Sequence, residues 1–328
     1  MKLIKYTSLR GFQKTLTFLP LVPPVHWLRG ELSLAFRQYD DFIVTGDPYC
    51  LSTWLLLVVA KLRRKKVFLW THGWYGDERF PKTWIKKLFF RLSHGLLLYG
   101  DYARNLLLRE GLKSEMLHCV YNSLDYDKQV GIRGKLRQTN VYATHFGNMA
   151  PTLIYVGRLQ TVKRLDLLIQ AMTILREKGE SCNLVLVGKS ADDVNLLSIV
   201  EDNGLSGAVW FYGPCYDEEV LAELFYNAAV CVSPGNVGLT ALHALSYGTP
   251  VITHDNFVHQ MPEFEAIQDG RTGAFFHEGD VKHLADVISA WISPVQLKQR
   301  EEVRKAAYRV IDERYNPHYQ LRIIESVL

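Results

Sequence analysis

The sequence predicts an α/β protein built from two doubly wound parallel sheets. Short apolar runs typical of buried strands alternate along the chain with longer runs of helical periodicity. The chain has 328 residues, which is about two domains at ~150 residues each. A polar, glycine-containing stretch over residues 125–151 separates the two alternating series and predicts a connecting segment.

The two series divide the chain into predicted domains at residues 1–140 and 141–314, followed by a last helix at 315–328. The first series predicts strands near residues 2–7, 41–45, 66–71, 96–99 and 117–121, with helices near 28–38, 49–62, 82–92 and 101–110. The second predicts strands near residues 152–157, 183–188, 208–212, 229–233, 250–253 and 273–276, with helices between them. Helical patterns near residues 280–292, 296–314 and 317–327 end the chain.

Composition narrows the class of protein. Five scattered cysteines, with no CxxC pair, favour a reducing compartment and argue against a zinc site. The first residues lack the long apolar run of a signal peptide. The densest apolar run, residues 54–60, is far shorter than the ~20 residues of a membrane span. A cytoplasmic protein without a structural metal is therefore predicted.

The most informative segment is a strand, a turn and a helix over residues 229–246. The strand pattern breaks at Pro234-Gly235-Asn236, and an amphipathic helix begins near Gly238. Unpaired N–H groups of Val237, Gly238 and Leu239 at a helix N-terminus predict an anion site. Taken alone, the segment fits an ordinary α/β connection equally well.

A second segment adds positive charge at the same edge of the predicted sheet. A five-residue apolar strand ends at Gly157-Arg158, and Lys163 follows near the start of the next helix. Because ligands of doubly wound sheets bind at the carboxyl ends of the strands, both cations are expected in one crevice. Two fixed cations facing a helix N-terminus suit a diphosphate. The alternative is a pair of solvated surface charges.

Several segments in register resemble the nucleotide-sugar domain of glycosyltransferase family 4, whose members are retaining enzymes of the GT-B fold. The resemblance covers roughly residues 95–295 and is carried by Gly157-Arg158-x4-Lys163, residues 217–221, 227–234, Gly238-Leu239, 248–252, 269–276 and Tyr121-Asn122-Ser-Leu-Asp125. It implies two Rossmann-like domains facing a central cleft, with a short N-terminal domain. It also implies that a last helix, beginning near Tyr315, crosses back to the first domain.

The resemblance implies a UDP- or GDP-linked sugar as donor, with no cofactor and no metal at the transfer step. It implies catalytic roles for His72, Arg158 and Lys163. The donor-binding residues that it implies are Gly157, Gly235, Asn236, Val237, Gly238, Leu239, Thr240, His243, Glu263 and Glu265.

One departure from the family pattern concerns two glutamates that stand seven residues apart around the Gly238 turn. This chain has Gly235 at the first position and His243 at the second. In the family the second glutamate holds the ribose hydroxyls, and His243 is expected to make one such hydrogen bond. Glu263 or Glu265 is expected to supply the missing carboxylate near the donor sugar. The alternative is a non-catalytic member that keeps only the nucleotide site.

The first domain contributes a histidine at the end of a buried strand. His72 follows the strand at residues 67–71, and Gly73 comes directly after it. In the family a histidine so placed lies near the transferred sugar and the acceptor; otherwise it only caps the strand end. Trp74 and Tyr75 either stack on a sugar face or line the domain wall. Gly11 marks the place of a glycine-rich first loop.

Charge is distributed unevenly along the chain. Residues 1–140 hold 23 Lys and Arg against 11 Asp and Glu. The cations concentrate in residues 61–66, from Lys61 to Lys66, and in a helical pattern from Lys82 to Leu92 that also carries Trp84, Leu88 and Phe89. Such a pattern predicts binding to an anionic membrane surface. The alternative is a core-facing helix with a solvated basic back. No motif predicts nucleic-acid binding.

The sequence therefore predicts a metal-independent retaining glycosyltransferase that acts on a lipid-linked or surface-polysaccharide precursor. It is expected in the cytoplasm, peripheral on the inner membrane face, with a role in cell-envelope polysaccharide biosynthesis. A monomer is the working expectation, and donor base, sugar and acceptor stay open. The alternatives are a nucleotide-sugar isomerase of the 2-epimerase type on the same scaffold and a non-catalytic nucleotide-sugar-binding protein.

Overall fold

The computed structural model describes residues 9–78, 82–190 and 195–328. The strand predicted near residues 2–7 lies outside these ranges. The chain divides into two compact units. The first contains the described residues up to Leu98, together with Ala103–Cys119 and Leu328; the second contains Tyr99–Tyr102 and Val120–Val327.

The first unit combines a hairpin with a small parallel sheet. Its elements are β1 Thr17–Pro20, β2 His26–Arg29, α1 Glu31–Leu34, β3 Asp41–Thr45, α2 Leu51–Leu62, β4 Lys66–Thr71, α3 Lys82–Leu92, β5 Gly95–Leu98, α4 Asp101–Arg109 and β6 Leu117–Cys119. The first two residues of α4, Asp101 and Tyr102, belong to the second unit. Strands β1 and β2 pair antiparallel, a hairpin that the sequence analysis did not predict. Strands β3, β4, β5 and β6 pair in parallel in chain order.

The core of the first unit lies between its sheet and its helices. Apolar side chains of β4 and β5 meet the inward faces of α2 and α3, because both helices repeat apolar residues at helical spacing. Leu57, Phe89, Phe90, Leu96 and Leu98 are almost completely buried there.

The second unit is a doubly wound domain with a six-stranded sheet. Its elements are α5 Tyr126–Arg133, α6 Val141–Phe146, β7 Thr152–Val156, α7 Leu165–Glu177, β8 Asn183–Val187, α8 Leu196–Asp202, β9 Val209–Gly213, α9 Glu218–Asn227, β10 Val230–Ser233, α10 Leu239–Ser246, β11 Val251–His254, β12 Gly273–Phe276, α11 Val281–Ile292, α12 Pro294–Lys298, α13 Arg300–Arg314 and α14 Pro317–Val327. All six strands are parallel.

The strand order of this sheet is β12-β11-β10-β7-β8-β9. From β7 the chain runs outward to β8 and β9, then returns to place β10 on the other side of β7. The order therefore reverses between β7 and β10, and doubly wound sheets bind ligands outside the carboxyl ends of strands at such a point. The Gly157-Arg158 and Gly235-Asn236 segments both follow these two strands, as the sequence analysis predicted.

The structure differs from the sequence analysis at the segment predicted as a linker. Residues 125–151 contain α5 and α6, which pack against the second unit: Gln129 Nε2 donates to Glu218 at 2.9 Å, and the Tyr142 hydroxyl donates to the Leu224 carbonyl at 2.6 Å. The change of unit therefore falls after Cys119 rather than near residue 140.

The helix expected at residues 296–314 is two helices, α12 and α13, which meet at Gln299. Helix α14 matches the last predicted helix, and its crossing back to the first domain stays a prediction. Among the described helices, none has both the length and the apolar character needed to cross a membrane.

Candidate functional site

Two loops meet at the carboxyl ends of β7 and β10. The Gly235 N–H donates to the Lys163 carbonyl at 2.9 Å. In return, Lys163 Nζ donates to the main-chain and side-chain oxygens of Asn236, at 2.7 Å each. These three bonds fix the Lys163 ammonium beside the turn that leads into α10.

This contact leaves no room for a side chain at position 235. A Cβ built on Gly235 would overlap the Val162 carbonyl oxygen and lie 2.8 Å from the Lys163 Cα. Backbone atoms cannot swing away as a side chain can. A glutamate at this position would therefore require the whole segment around Lys163 to move.

The predicted cations lie at this crevice. Arg158 is exposed, and no carboxylate in the described part of the chain pairs with it. Burial lowers the pKa of Lys163, and the Arg158 charge lowers it further, while the Glu263 carboxylate opposes both. The mutual effect shows that Arg158, Lys163 and Glu263 act within one electrostatic neighbourhood.

Helix α10 begins at this crevice without a side-chain cap. Gly238 is its N-cap residue, and no described residue accepts a hydrogen bond from the N–H of Gly238 or Leu239. The prediction for Val237 was wrong, because its N–H donates to Gln260 Oε1 at 2.7 Å. The anion site therefore has two open amides rather than three.

Gln260 is a site residue that the sequence analysis missed. It is buried, and its Nε2 donates at 2.9 Å both to Thr253 Oγ1 and to the His254 carbonyl. The Thr253 hydroxyl in turn donates to the Ser233 carbonyl at the end of β10. Gln260 therefore holds the turn from β10 to α10 in place. A single glutamine in a loop does not indicate this role in the sequence.

Thr240 and Gly157 connect α10 to β7. The Thr240 hydroxyl donates to the carbonyl of Val156, the last residue of β7, at 2.8 Å. Gly157 follows with φ +155°, and a Cβ there would lie 2.9 Å from the Tyr155 hydroxyl. The first turn of α10 is thus held against the strand that carries Arg158.

Of the two candidate carboxylates, the structure leaves Glu263 available. Both oxygens of Glu265 are engaged: Oε2 accepts from the Asp101 N–H at 2.7 Å and Oε1 from the Tyr102 N–H at 2.9 Å. Glu263 Oε1 accepts from Asn122 Nδ2 at 2.7 Å, whereas its buried Oε2 has no partner among the described residues. Burial raises the pKa of Glu263, against the hydrogen bond from Asn122 and the charge of Lys163.

His243, which was expected to reach the donor ribose, has its Nε2 engaged by a carboxylate, that of Glu218. Glu218 Oε1 accepts from His243 Nε2 at 2.9 Å, the Tyr247 hydroxyl at 2.6 Å and Gln129 Nε2 at 2.9 Å. Glu218 Oε2 has no hydrogen-bond partner among the described residues. Burial raises the pKa of Glu218, but these donors outweigh it and lower the pKa to about 2.

Glu218 was therefore missed as a site residue, although residues 217–221 had been noted as part of the family pattern. It is the first residue of α9 and follows β9, so it lies at the carboxyl edge of the sheet, as the two loops do. Its sequence neighbours, Asp217 and Glu219, are also acidic. Only the tertiary contacts distinguish which of the three is half-buried and hydrogen-bonded to other side chains.

In the first unit, His72 follows β4 as predicted. Burial lowers the pKa of His72, and the nearby Lys86 ammonium lowers it further, so both favour the neutral ring. The Tyr75 ring stacks on it with centroids 6.1 Å apart. A Cβ on Gly73, which has φ +73°, would meet a Leu98 methyl at 2.9 Å, so this position requires glycine.

Burial excludes the first of the two alternatives for Trp74, stacking on a sugar face. Its side chain is 5% exposed and belongs to the core of the first unit, because the chain turns inward after Gly73. Gly11 lies in an exposed turn with φ +86°. Its acceptor role, like the site roles of His72 and Tyr75, stays a prediction. No group of three potential metal ligands occurs within the described ranges.

Comparison with known proteins identifies the family. The model of glycosyl transferases group 1 matches residues 138–310, which are more than half of the chain and contain both loops, Glu218 and Glu263. The chain belongs to the group 1 glycosyl transferases.

Similarity to individual group 1 glycosyl transferases agrees with this assignment. The putative glycosyltransferase EpsD of Bacillus subtilis is 27% identical over 269 residues, covering 78% of this chain and 68% of EpsD. Two solved structures share the GT-B fold. HepE of Anabaena in complex with UDP has a TM-score of 0.70 at 18% identity, over 90% of this chain and 80% of HepE. The lipopolysaccharide outer core galactosyltransferase WaaB has a TM-score of 0.66 at 17% identity, over 91% and 78%.

The pKa of Glu218 predicts how stability depends on pH. Its value is 4.5 in an unfolded chain and about 2 here, so its stabilising effect is present above pH 4.5 and is lost as pH falls toward 2. Glu218→Gln should therefore lower the free energy of unfolding by about 3 kcal/mol at neutral pH and by little near pH 2. Denaturant titrations at several pH values measure this difference.

The exposed neighbour Glu219 supplies the control. Glu219→Gln should change the free energy of unfolding little at any pH, because its side chain is solvated. A Glu218→Gln effect that is the same at neutral and acidic pH would show that Glu218 does not act through its charge.

Proposed function

We propose that this group 1 glycosyl transferase is a retaining enzyme that moves a sugar from a UDP- or GDP-linked donor to a lipid-linked or surface-polysaccharide precursor. The observation that carries the proposal is the crevice between β7 and β10. Two uncapped N–H groups of α10 lie there with two cations, one of which, Lys163, is held in place by Asn236.

The crevice fits the leaving group of a nucleoside-diphosphate sugar. As the bond from the anomeric carbon to the diphosphate oxygen breaks, negative charge develops on the diphosphate. Arg158, Lys163 and the amides of Gly238 and Leu239 are placed to stabilise that charge. Each such group, if preorganised, is typically worth ~3 kcal/mol in the transition state. The contacts of Lys163 with Asn236 supply the preorganisation.

Retention of configuration requires no separate general base in this proposal. The acceptor hydroxyl attacks the anomeric carbon on the face that the diphosphate leaves, and its proton passes to the departing diphosphate oxygen. The products are the glycosylated acceptor and a nucleoside diphosphate. The reaction needs charge stabilisation by the protein and no metal.

Two carboxylates complete the proposed donor site. Glu218 is ionised, and its open Oε2 can only accept hydrogen bonds, so it suits the hydroxyls of the donor ribose. His243 then serves as a positioning residue that donates to Glu218 Oε1. Glu263, with one unpartnered oxygen near Lys163, is the carboxylate proposed for the donor sugar.

The acceptor class and the location are supported by charge and by the relatives. Residues 61–66 and the helix from Lys82 to Leu92 make the first unit basic, which suits an anionic inner membrane surface. WaaB, a structural relative, is a lipopolysaccharide outer core galactosyltransferase, and HepE was solved with UDP. These similarities favour an envelope precursor as acceptor and a peripheral location on the cytoplasmic side.

The proposed reaction is tested with a panel of UDP- and GDP-linked sugars. We expect one donor to be consumed, faster in the presence of a lipid-linked saccharide acceptor, and NMR of the product to show retained anomeric configuration. Activity should persist in EDTA, because Arg158 and Lys163 supply the positive charge. Inversion of configuration, or complete loss in EDTA with recovery on adding Mn²⁺, would contradict the proposed mechanism.

Removing either cation should slow transfer. Arg158→Ala and Lys163→Ala are each expected to lower kcat by ~10²–10³-fold, because each removes a partner of the developing diphosphate charge. Lys178→Ala, at an exposed ion pair with Asp286, is the control and should leave kcat unchanged. Near-normal rates for both crevice variants would show that the diphosphate binds elsewhere.

The role of Glu218 is tested by removing a ribose hydroxyl. The wild-type protein should bind the preferred nucleoside diphosphate ~10-fold more tightly than its 2′-deoxy form, since a hydrogen bond to a charged group is lost. Glu218→Gln should weaken binding and reduce this discrimination, while leaving the affinity for inorganic pyrophosphate unchanged. Equal discrimination in both proteins would show that Glu218 only supports the fold.

A further inference from the structure

The outward face of α2 is apolar. Leu51, Leu55, Val58 and Leu62 follow one another at intervals of four, three and four residues, which places them on one side of a helix. All four are exposed, and Leu62 is 79% exposed. The opposite side of the helix already fills the core of the first unit, through residues such as Leu57.

An apolar stripe on the solvent side is unusual for a surface helix. Such helices normally carry charged or polar residues opposite their core-facing stripe. Single exposed leucines need no explanation, but a contiguous apolar surface marks an interaction site. Helix α2 therefore has two apolar faces, one that packs in the core of the first unit and one that is exposed.

Helix α3 extends this surface. Trp84, Ile85 and Leu88 are exposed, with Trp84 at 61%. Phe89, which the sequence analysis placed among the basic residues of the helix face, is instead completely buried in the core. The outward face of α3 is therefore formed by Trp84, Ile85 and Leu88, at the helical spacing of neighbours on one side.

The outward faces of α2 and α3 look to the same side of the sheet. Strands β3, β4 and β5 are adjacent and parallel in chain order, and right-handed crossovers between such strands place their helices on one face. The two helices also touch, with the ring centroids of Trp54 and Phe89 5.0 Å apart. Their apolar stripes thus form one surface, which we name the α2–α3 face.

The surroundings of the α2–α3 face are basic. Neither helix, nor residues 63–65 between α2 and β4, contains an aspartate or glutamate. Lys86 and Lys87 are paired with Glu78 and Glu110 from neighbouring segments. The exposed cations around the face are Lys61, Arg63, Arg64, Lys82 and Arg91.

A cavity of about 560 Å³ lies where the C-terminal ends of the two helices meet. Lys61 and Lys65 line it from the α2 side and Arg91 from α3, while Lys113 and Glu115, also at the wall, pair with each other. Lys65 Nζ already donates to the Arg37 and Tyr39 carbonyls, so Lys61 and Arg91 are the cations of this recess that can meet a lipid phosphate.

We propose that the α2–α3 face inserts into the interfacial layer of an anionic membrane, with its apolar side chains among the acyl chains and its cations at the lipid phosphates. The exposed cations around the α2–α3 face favour anionic lipid as its partner. A second copy of the same face would bring like charges together, whereas anionic lipid neutralises them. The inference rests on the proposed membrane location and deepens it, because it adds Ile85 and the exposed apolar side chains of α2 to Trp84 and Leu88 as the residues that enter the bilayer.

The test uses the whole chain and two kinds of vesicle. We expect binding to equimolar phosphatidylglycerol and phosphatidylcholine, and much weaker binding to phosphatidylcholine alone, measured by co-sedimentation. Added salt should weaken the binding but not abolish it, because screening acts on the cations and not on the inserted side chains. Acyl-chain-brominated lipid should quench tryptophan fluorescence, and Trp84→Phe should remove most of that quenching.

The variant Leu55→Ser, Val58→Ser, Leu62→Ser is expected to lower vesicle affinity by ~10²-fold, since it removes three apolar groups from the inserted surface. The control is Leu197→Ser, Val295→Ser, Leu321→Ser, which removes three exposed apolar side chains from the second unit and should bind normally. Because all six side chains are exposed, both variants should unfold at the wild-type temperature.

Normal vesicle binding by the α2 variant would overturn the inference, and so would equal binding of the wild-type protein to neutral and mixed vesicles. A third contrary outcome is a wild-type protein that binds no vesicle but forms a dimer, if the α2 variant dissociates that dimer and the control variant does not. Nucleoside-diphosphate binding should be unchanged in the variant. If the chain binds vesicles but no nucleoside diphosphate, the proposed transferase fails and this inference stands. If the chain binds a nucleoside diphosphate but no vesicle, this inference fails and the proposed transferase stands.

Discussion

The crevice at the carboxyl ends of β7 and β10 depends on one close backbone contact, between Gly235 and the segment Val162–Lys163. The Gly235 N–H is bonded to the Lys163 carbonyl, and the space of a Cβ is filled by the Val162 carbonyl. Since the contact is made by main-chain atoms, it fixes the two loops more firmly than side chains could. This contact positions the Lys163 ammonium and the start of α10.

The same contact explains where the acidic groups of this chain lie. A glutamate cannot occupy position 235, and carboxylates instead reach the region from other elements: Glu263 from the loop after β11 and Glu218 from the start of α9. His243 is coupled to this arrangement, because its Nε2 donates to Glu218. Of the two positions that depart from the family pattern, Gly235 is fixed by the backbone contact and His243 by its hydrogen bond to Glu218.

Much of the second unit was predictable, because buried parallel strands and glycine turns leave strong local patterns. The position of Arg158 and Lys163 after β7 was predicted from their spacing after an apolar strand. Val237 was not, because Gln260 reaches its N–H from 23 residues away, a contact that no local pattern encodes. The burial of Trp74 and the exposed apolar face of α2 were not predictable for a related reason: whether an apolar side chain is buried or exposed depends on which neighbouring elements pack against it.

A crystal structure of the chain with its nucleoside diphosphate tests the central claim most directly. The account predicts diphosphate oxygens within hydrogen-bond distance of the Gly238 and Leu239 amides and of Lys163, with the Gly235–Lys163 contact intact and the ribose at Glu218. A diphosphate bound away from the carboxyl ends of β7 and β10, or a crevice that opens by breaking the Gly235–Lys163 contact, would contradict it.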